Sequence, residues 1–238
     1  FPTRRSSDLK LTKHDITADL RGALSKPNRK HFKSIKPAEF PEFLKRLNSY
    51  HGERTTKNAL LMTIYTFVRT IETRGAKWEE FDEARKEWTI PADRMKMKRP
   101  HIVPLSRQVT QLLKEQREIT GRSEFVFANL DKPKQIMSEN TMLFALYKLG
   151  YHRTATVHGF RSLASTILNA EGFMPDHIER QLAHVEANKV RGAYNHADFL
   201  PERREMMQWW ADYLDLARSG NVYPFPQLPS EYIQSHLA

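Results

Sequence analysis

The segment from Thr55 to Val68 constrains this chain more than any other. Wound at 3.6 residues per turn, Ala59, Leu60, Leu61, Met62, Ile64, Tyr65, Phe67 and Val68 leave almost no polar face. A helix apolar on nearly every side has to be enclosed by other elements. The rest of the chain offers those elements. Pro37 opens a helix with Phe40, Phe43, Leu44 and Leu47 on one face, closing near His51-Gly52. Ser106 to Thr120 turns Val109, Leu112, Leu113 and Gln116 inward, with Gly121 as its stop. Ser138 starts a further helix on a capping-box pattern, ending at Gly150. His158 to Ala170 carries Phe160, Leu163, Ala164, Ile167 and Leu168 on its inner side. Pro175 to Ala183 is short. Asp198 is a candidate cap for a last long helix, with Pro201 in its first turn, running to about Ala217. Lys86–Pro91 and His101–Leu105 read as short strands around a basic hairpin, Arg94 to Arg99, and Phe125–Ala128 is a short apolar piece. The expected fold is mainly α with a small antiparallel β-sheet, of the α+β class.

The flanks differ in composition. Residues 1–9, FPTRRSSDL, read like a translated sequencing adapter and are set aside as an adapter scar. Residues 10–36 hold a weakly helical stretch and then a basic linker with Lys26, Arg29, Lys30, Lys33 and Lys36. Residues 37–217 form the main domain, and 218–238 a Pro-rich polar tail.

Charge narrows the partners. The 238 residues include 38 Lys and Arg against 28 Asp and Glu, a net charge of +10. Such a balance is the electrostatic footprint of a polyanion binder. Cysteine is absent, which excludes disulfides, thiolate metal sites and Cys nucleophiles. No Gly-rich phosphate loop, HExxH, EF-hand or Gly-x-Ser-x-Gly pattern occurs, and no pair of histidines is spaced i, i+4 on a helix. No metal site and no cofactor is expected. No apolar run is long enough for a membrane helix, and a cytoplasmic protein is the simplest expectation.

Four features stand out. Arg69 follows the apolar helix and needs an anion, either Glu72 three residues on or a bound phosphate. His158 and Arg161 share one face of a helix start, where the dipole and free N–H groups favour an anion. His184 is followed ten residues later by Tyr194. Lys96 and Lys98 occupy the hairpin tip, and strand alternation would send them to one side and Met95 and Met97 to the other. Each feature also has a bland reading: a structural ion pair, surface charges, a lone ring, a solvated turn.

Their order carries more weight than any one of them. The stretches Phe67 to Trp78, Arg94 to Leu105, His158-Gly-Phe-Arg161, Glu179 to His184, Val190 to Asn195 and Arg203 to Leu214 follow one another at characteristic spacing. Together they resemble the catalytic domain of the tyrosine recombinases of the phage integrase family, in the branch of prophage and genomic-island integrases, over roughly residues 10–217. The resemblance implies that Arg69, Lys96, His158, Arg161 and His184 are catalytic, that Tyr194 is the nucleophile and that Glu72 supports Arg69. Lys98 is the alternative to Lys96. Lys30, Lys33, Lys98 and Arg99 become candidate DNA contacts, and residues 10–36 the end of a truncated core-binding domain plus its linker. The branch usually reads Arg-Pro-Gly-Glu-Leu at the first arginine, where this chain has Arg69-Thr-Ile-Glu-Thr73.

The implied activity is site-specific recombination of a mobile element: cleavage and rejoining of double-stranded DNA attachment sites through a 3′-phosphotyrosyl link, without metal or ATP. Two arginines would meet the charge on the non-bridging oxygens, and Lys96 would protonate the departing 5′ oxygen. A homotetramer on DNA, in the cytoplasm at the nucleoid, goes with that activity. The competing expectations are a catalytically inactive DNA-binding prophage remnant and a type IB topoisomerase-like enzyme.

Overall fold

The computed structural model describes residues 33–184 and 198–220. The adapter-like start, Lys30, Tyr194 and the tail from 221 lie outside the described residues. A 3₁₀ turn, Pro37–Glu39, leads into α1 (Phe40–Asn48). There follow α2 (Arg54–Thr66), α3 (Thr70–Arg74), β1 (Phe81–Asp82), β2 (Glu87–Ile90), β3 (His101–Pro104), α4 (Arg107–Thr120), α5 (Thr141–Lys148), α6 (Gly159–Ala170), α7 (Pro175–Gln181) and α8 (Leu200–Ser219). Among the described residues no helix is long and apolar enough to cross a membrane.

Helix α2 is the hub the sequence demands. It packs against α3, α4, α5, α6 and α8, and its residues are buried on nearly every side. Its polar groups are absorbed locally. Thr63 and Thr66 donate to the carbonyls of Ala59 and Met62, and Asn58 donates to Gln116 of α4 at 2.9 Å. An aromatic seam joins the outer helices. Phe40 of α1 stacks on Trp210 of α8, and Phe43 lies 5.0 Å from Phe160 of α6. The sheet is antiparallel in the order β1-β2-β3, with Trp88 opposite Phe81 on one side and Val103 on the other.

Three local expectations are corrected. Ser138 does not cap a helix. Residues 128 and 136 form a β-bridge and the Met137 N–H donates to the Phe127 carbonyl, so the chain turns through residues 138–141 before α5 begins at Thr141. Asp198 does not cap α8. Its carboxylate pairs with Arg180, its carbonyl accepts from Arg203, and the cap position falls on Phe199 in a left-handed conformation. The β2–β3 connection is not an alternating hairpin tip. Consecutive turns, Arg94 to Pro91, Met95 to Ala92 and Lys98 to Met95, replace the ladder. Met95 is therefore buried, whereas Met97 is exposed beside Lys96 and Lys98.

The incoming chain is strapped over the start of α6. The Lys33 carbonyl accepts from both the N–H and the hydroxyl of Thr156, and Ser34 donates to the Gly159 carbonyl. A Cβ on Gly159 would lie 2.5 Å from the Lys33 oxygen. Gly159→Ala must therefore displace this strap, with an expected loss of about 1–3 kcal/mol, typical of overpacking against backbone. Urea unfolding of the variant beside the parent chain checks this.

Candidate active site

Two chain reversals build the site. Phe67 ends α2 in the left-handed region at φ +39°, an uncommon place for a bulky residue. Its ring is fully buried and meets Trp210 edge-on at 6.2 Å, a contact glycine could not make. The reversal delivers Arg69 to the start of α3. Ala183, at φ +49°, reverses the chain after α7 in the same manner and delivers His184.

Arg69 is gripped by Glu72, which is buried. The carboxylate accepts from the Arg69 backbone N–H at 2.7 Å and from its guanidinium at 2.8 Å. A second guanidinium nitrogen donates to the Ala183 carbonyl at 3.2 Å. In place of the branch's Pro-Gly-Glu-Leu, Thr73 is hydrogen-bonded through its hydroxyl to the Thr63 hydroxyl oxygen, and Ile71 faces solvent.

Arg161 lies at the floor, 3% exposed. It donates to the carbonyls of Phe67 and of Leu182, the latter at 2.7 Å, and reaches His184 Nε2 at 3.4 Å. Among the described residues no carboxylate stands within ion-pair distance of it. Burial, and then the neighbouring Arg69 charge, lowers its pKa to about 10, so it remains cationic at neutral pH. His158 caps α6 beside it. Burial and the charges of Arg161, Arg69 and His184 hold the His158 pKa below the usual histidine range, which favours the neutral ring. His184 is half-exposed, and its Nδ1–H donates to Glu179 at 2.7 Å. That bond turns Nε2 toward Arg161.

Three successive carbonyls thus act as a template. Gln181 accepts from His101 at 3.0 Å, Leu182 from Arg161 and Ala183 from Arg69. The Gln181 amide donates in turn to the Thr66 carbonyl at the end of α2, while its oxygen accepts from the fully buried Arg203. Glu179, Gln181, His101 and Arg203 were not anticipated as site residues. All four fall within the matching stretches, Glu179 and Gln181 around His184, His101 in Arg94 to Leu105 and Arg203 at the start of Arg203 to Leu214, but nothing in the sequence separates such a polar residue when buried from a solvated one. One expectation about α6 is corrected. Its first N–H groups are not free for an anion, because Gly159 donates to Thr156 and Arg161 to His158. Any anion would have to be held by side chains.

The structure therefore brings Arg69, Glu72, His158, Arg161 and His184 together. Lys96, Lys98 and Arg99 are exposed on the β2–β3 connection, apart from this hydrogen-bond network. Lys33 is exposed where the strap crosses the His158 turn. Tyr194 and Lys30 lie outside the described residues.

His101 offers a check on this packing. Its buried Nε2–H donates to Gln181, and burial together with the Arg203 and Arg180 charges holds its pKa well below the ordinary value. Above pH about 6.5 both folded and unfolded states carry the neutral ring. Below that, only the unfolded state takes up the proton, so stability falls with pH, at up to about 1.4 kcal/mol per pH unit. Melting temperatures between pH 7.5 and 5.5 should show a slope that His101→Gln flattens.

The fold matches solved tyrosine recombinases. A λ integrase dimer bound to a COC′ core site aligns with a TM-score of 0.57 at 15% identity, covering 81% of this chain and 55% of that one. The integrase from mycobacterium phage Brujita gives 0.56 at 14%, covering 98% and 72%. These define the architecture as that of a tyrosine recombinase catalytic domain.

The sequence comparisons go further. The model of the phage integrase family matches residues 33–200. The integrase of enterobacteria phage P4 is 44% identical over 221 residues, 86% of this chain and 50% of that protein. Prophage integrase IntA of Escherichia coli (strain K12) is 42% identical over 200 residues, 84% of this chain and 48% of that protein. The chain belongs to the phage integrase family, and it spans about half the length of these curated relatives.

Proposed function

We propose that this domain cuts and rejoins DNA at specific attachment sites as the catalytic part of a tyrosine recombinase. The observation that supports this most is Arg161: a buried guanidinium satisfied by carbonyl oxygens, beside a second arginine and two imidazoles. Like charges gathered this way raise one another's energy until an anion arrives, and a phosphodiester supplies one.

In the proposed step the Tyr194 oxygen attacks phosphorus and the P–O5′ bond breaks. The phenolic proton passes to neutral His158, while Arg69, Arg161 and His184 hold the non-bridging oxygens. Lys96 gives its proton to the leaving 5′ oxygen, which would otherwise depart as a strongly basic alkoxide. The 3′-phosphotyrosyl product conserves the diester, and attack by another 5′-hydroxyl reverses the step. Lys30, Lys33, Lys98 and Arg99 contact the DNA backbone. Residues 10–36 are read as the end of a core-binding domain and its linker, 37–217 as the catalytic domain and 218–238 as a tail. The full-length protein works as a homotetramer on paired duplexes, in the cytoplasm at the nucleoid.

A nicked suicide duplex carrying the cognate site tests this. A covalent protein–DNA adduct should accumulate in EDTA, and binding should weaken steeply with salt. Absence of an adduct, or dependence on a divalent metal, would overturn the proposal.

A further inference from the structure

We propose that Arg94 is a positioning residue that ties the β2–β3 connection, and with it Lys96, to the Arg69–Glu72 pair. The inference rests on the role given to Lys96 above. Arg94 lies two residues before Lys96, and its side chain is largely buried. One guanidinium nitrogen donates to the Glu72 backbone carbonyl at 2.6 Å. Another pairs with Glu80, whose carboxylate also accepts from the Trp88 indole of β2 at 2.9 Å. Glu72 is therefore shared: its carboxylate grips Arg69, and its carbonyl holds the connection.

The charge on Arg94 is matched by Glu80, so its service here is mechanical. Met95, buried in the core, is the second anchor. Residues 96–100 beyond these two anchors are all exposed. Two residues of extended chain span about 7 Å, so fixing Arg94 confines the arc that the Lys96 backbone can sweep. Gly75 makes room for the tie: a Cβ there would come within 3.0 Å of the Arg94 guanidinium.

A leaving group that needs no proton separates this role from a general loss of structure. With sulfur at the bridging 5′ position of the scissile phosphate, the departing thiolate is far less basic than an alkoxide. Arg94→Ala, Gly75→Ala, Lys96→Ala and Arg69→Ala are compared with the parent chain on oxygen and sulfur substrates. On the oxygen substrate Arg94→Ala should cleave about 10–100-fold more slowly, a fraction of the roughly 10²–10⁴-fold that general acid catalysis contributes, because Lys96 itself is still present. On the sulfur substrate it should return to within about threefold of the parent, which also shows that the variant folds. Gly75→Ala keeps the Arg94 charge but pushes it aside, and should show the same pattern in milder form. Arg69→Ala should stay impaired on both. Equal defects of Arg94→Ala on the two substrates while Lys96→Ala is rescued, or no defect on oxygen, would overturn the Arg94 role alone. A Lys96→Ala variant that sulfur does not rescue would overturn the Lys96 role, and this inference with it.

Discussion

Arg161→Ala should slow adduct formation on a suicide duplex by at least about 10²–10³-fold, the scale of losing a preorganised donor to a developing anion. It should also destabilise the domain. The carbonyls of Phe67 and Leu182 would lose their buried donor, at about 1–3 kcal/mol for each group left unpaired. Arg161→Lys separates the two effects. It restores a cation, but a single ammonium cannot reproduce the planar fork that spans both carbonyls. We expect this variant to regain part of the stability and little of the rate. Single-turnover cleavage and thermal melting, measured on the same preparations, check both. A rate for Arg161→Ala within threefold of the parent would remove the buried guanidinium from the chemistry.

Tyr194→Phe should abolish the adduct altogether while leaving affinity for the site nearly unchanged. The substitution removes one oxygen, the atom proposed to form the bond to phosphorus. The other groups assigned to the site stabilise or move charge, and none of them can replace a missing nucleophile. Gel-shift titration and denaturing electrophoresis of the same mixtures read the two properties together. Loss of binding in parallel with cleavage would make Tyr194 a DNA contact instead.

The sequence was informative where a single element decides the outcome. Helix α2 is apolar on nearly every side, so its central place follows without knowledge of its neighbours. Ser106 and Gly121 bound α4 by local chemistry, the serine accepting from the Val109 N–H. Misread positions are those where a tertiary partner competes. Asp198 has the chemistry of a helix cap, but Arg180 takes its carboxylate. Ser138 begins a capping pattern, but the pairing of Met137 with Phe127 keeps the chain extended just before it. Two-residue β1 is too short to show any periodicity.

The site divides along the same line. Arg69, His158, Arg161 and His184 were visible as a resemblance in spaced motifs. Of what holds them, only Glu72 was visible, as the support of Arg69; the carbonyls of residues 66–67 and 181–183 were not, because backbone groups carry no side-chain signature. Nor could Arg203 be told from its neighbour Arg204. The first is fully enclosed by Gln181, Ile102 and Asp198, and the second is bound to Glu87 nearer the surface.

The proposed chemistry turns on which atom of the protein becomes bonded to DNA, and at which end of the break. Trapped adduct, formed in EDTA, can be digested with protease and nuclease and the nucleotide-bearing peptide sequenced by mass spectrometry. One modified peptide is expected, with a 3′-nucleotide phosphate on the oxygen of Tyr194. A link to another residue, or to a 5′ phosphate, would contradict it.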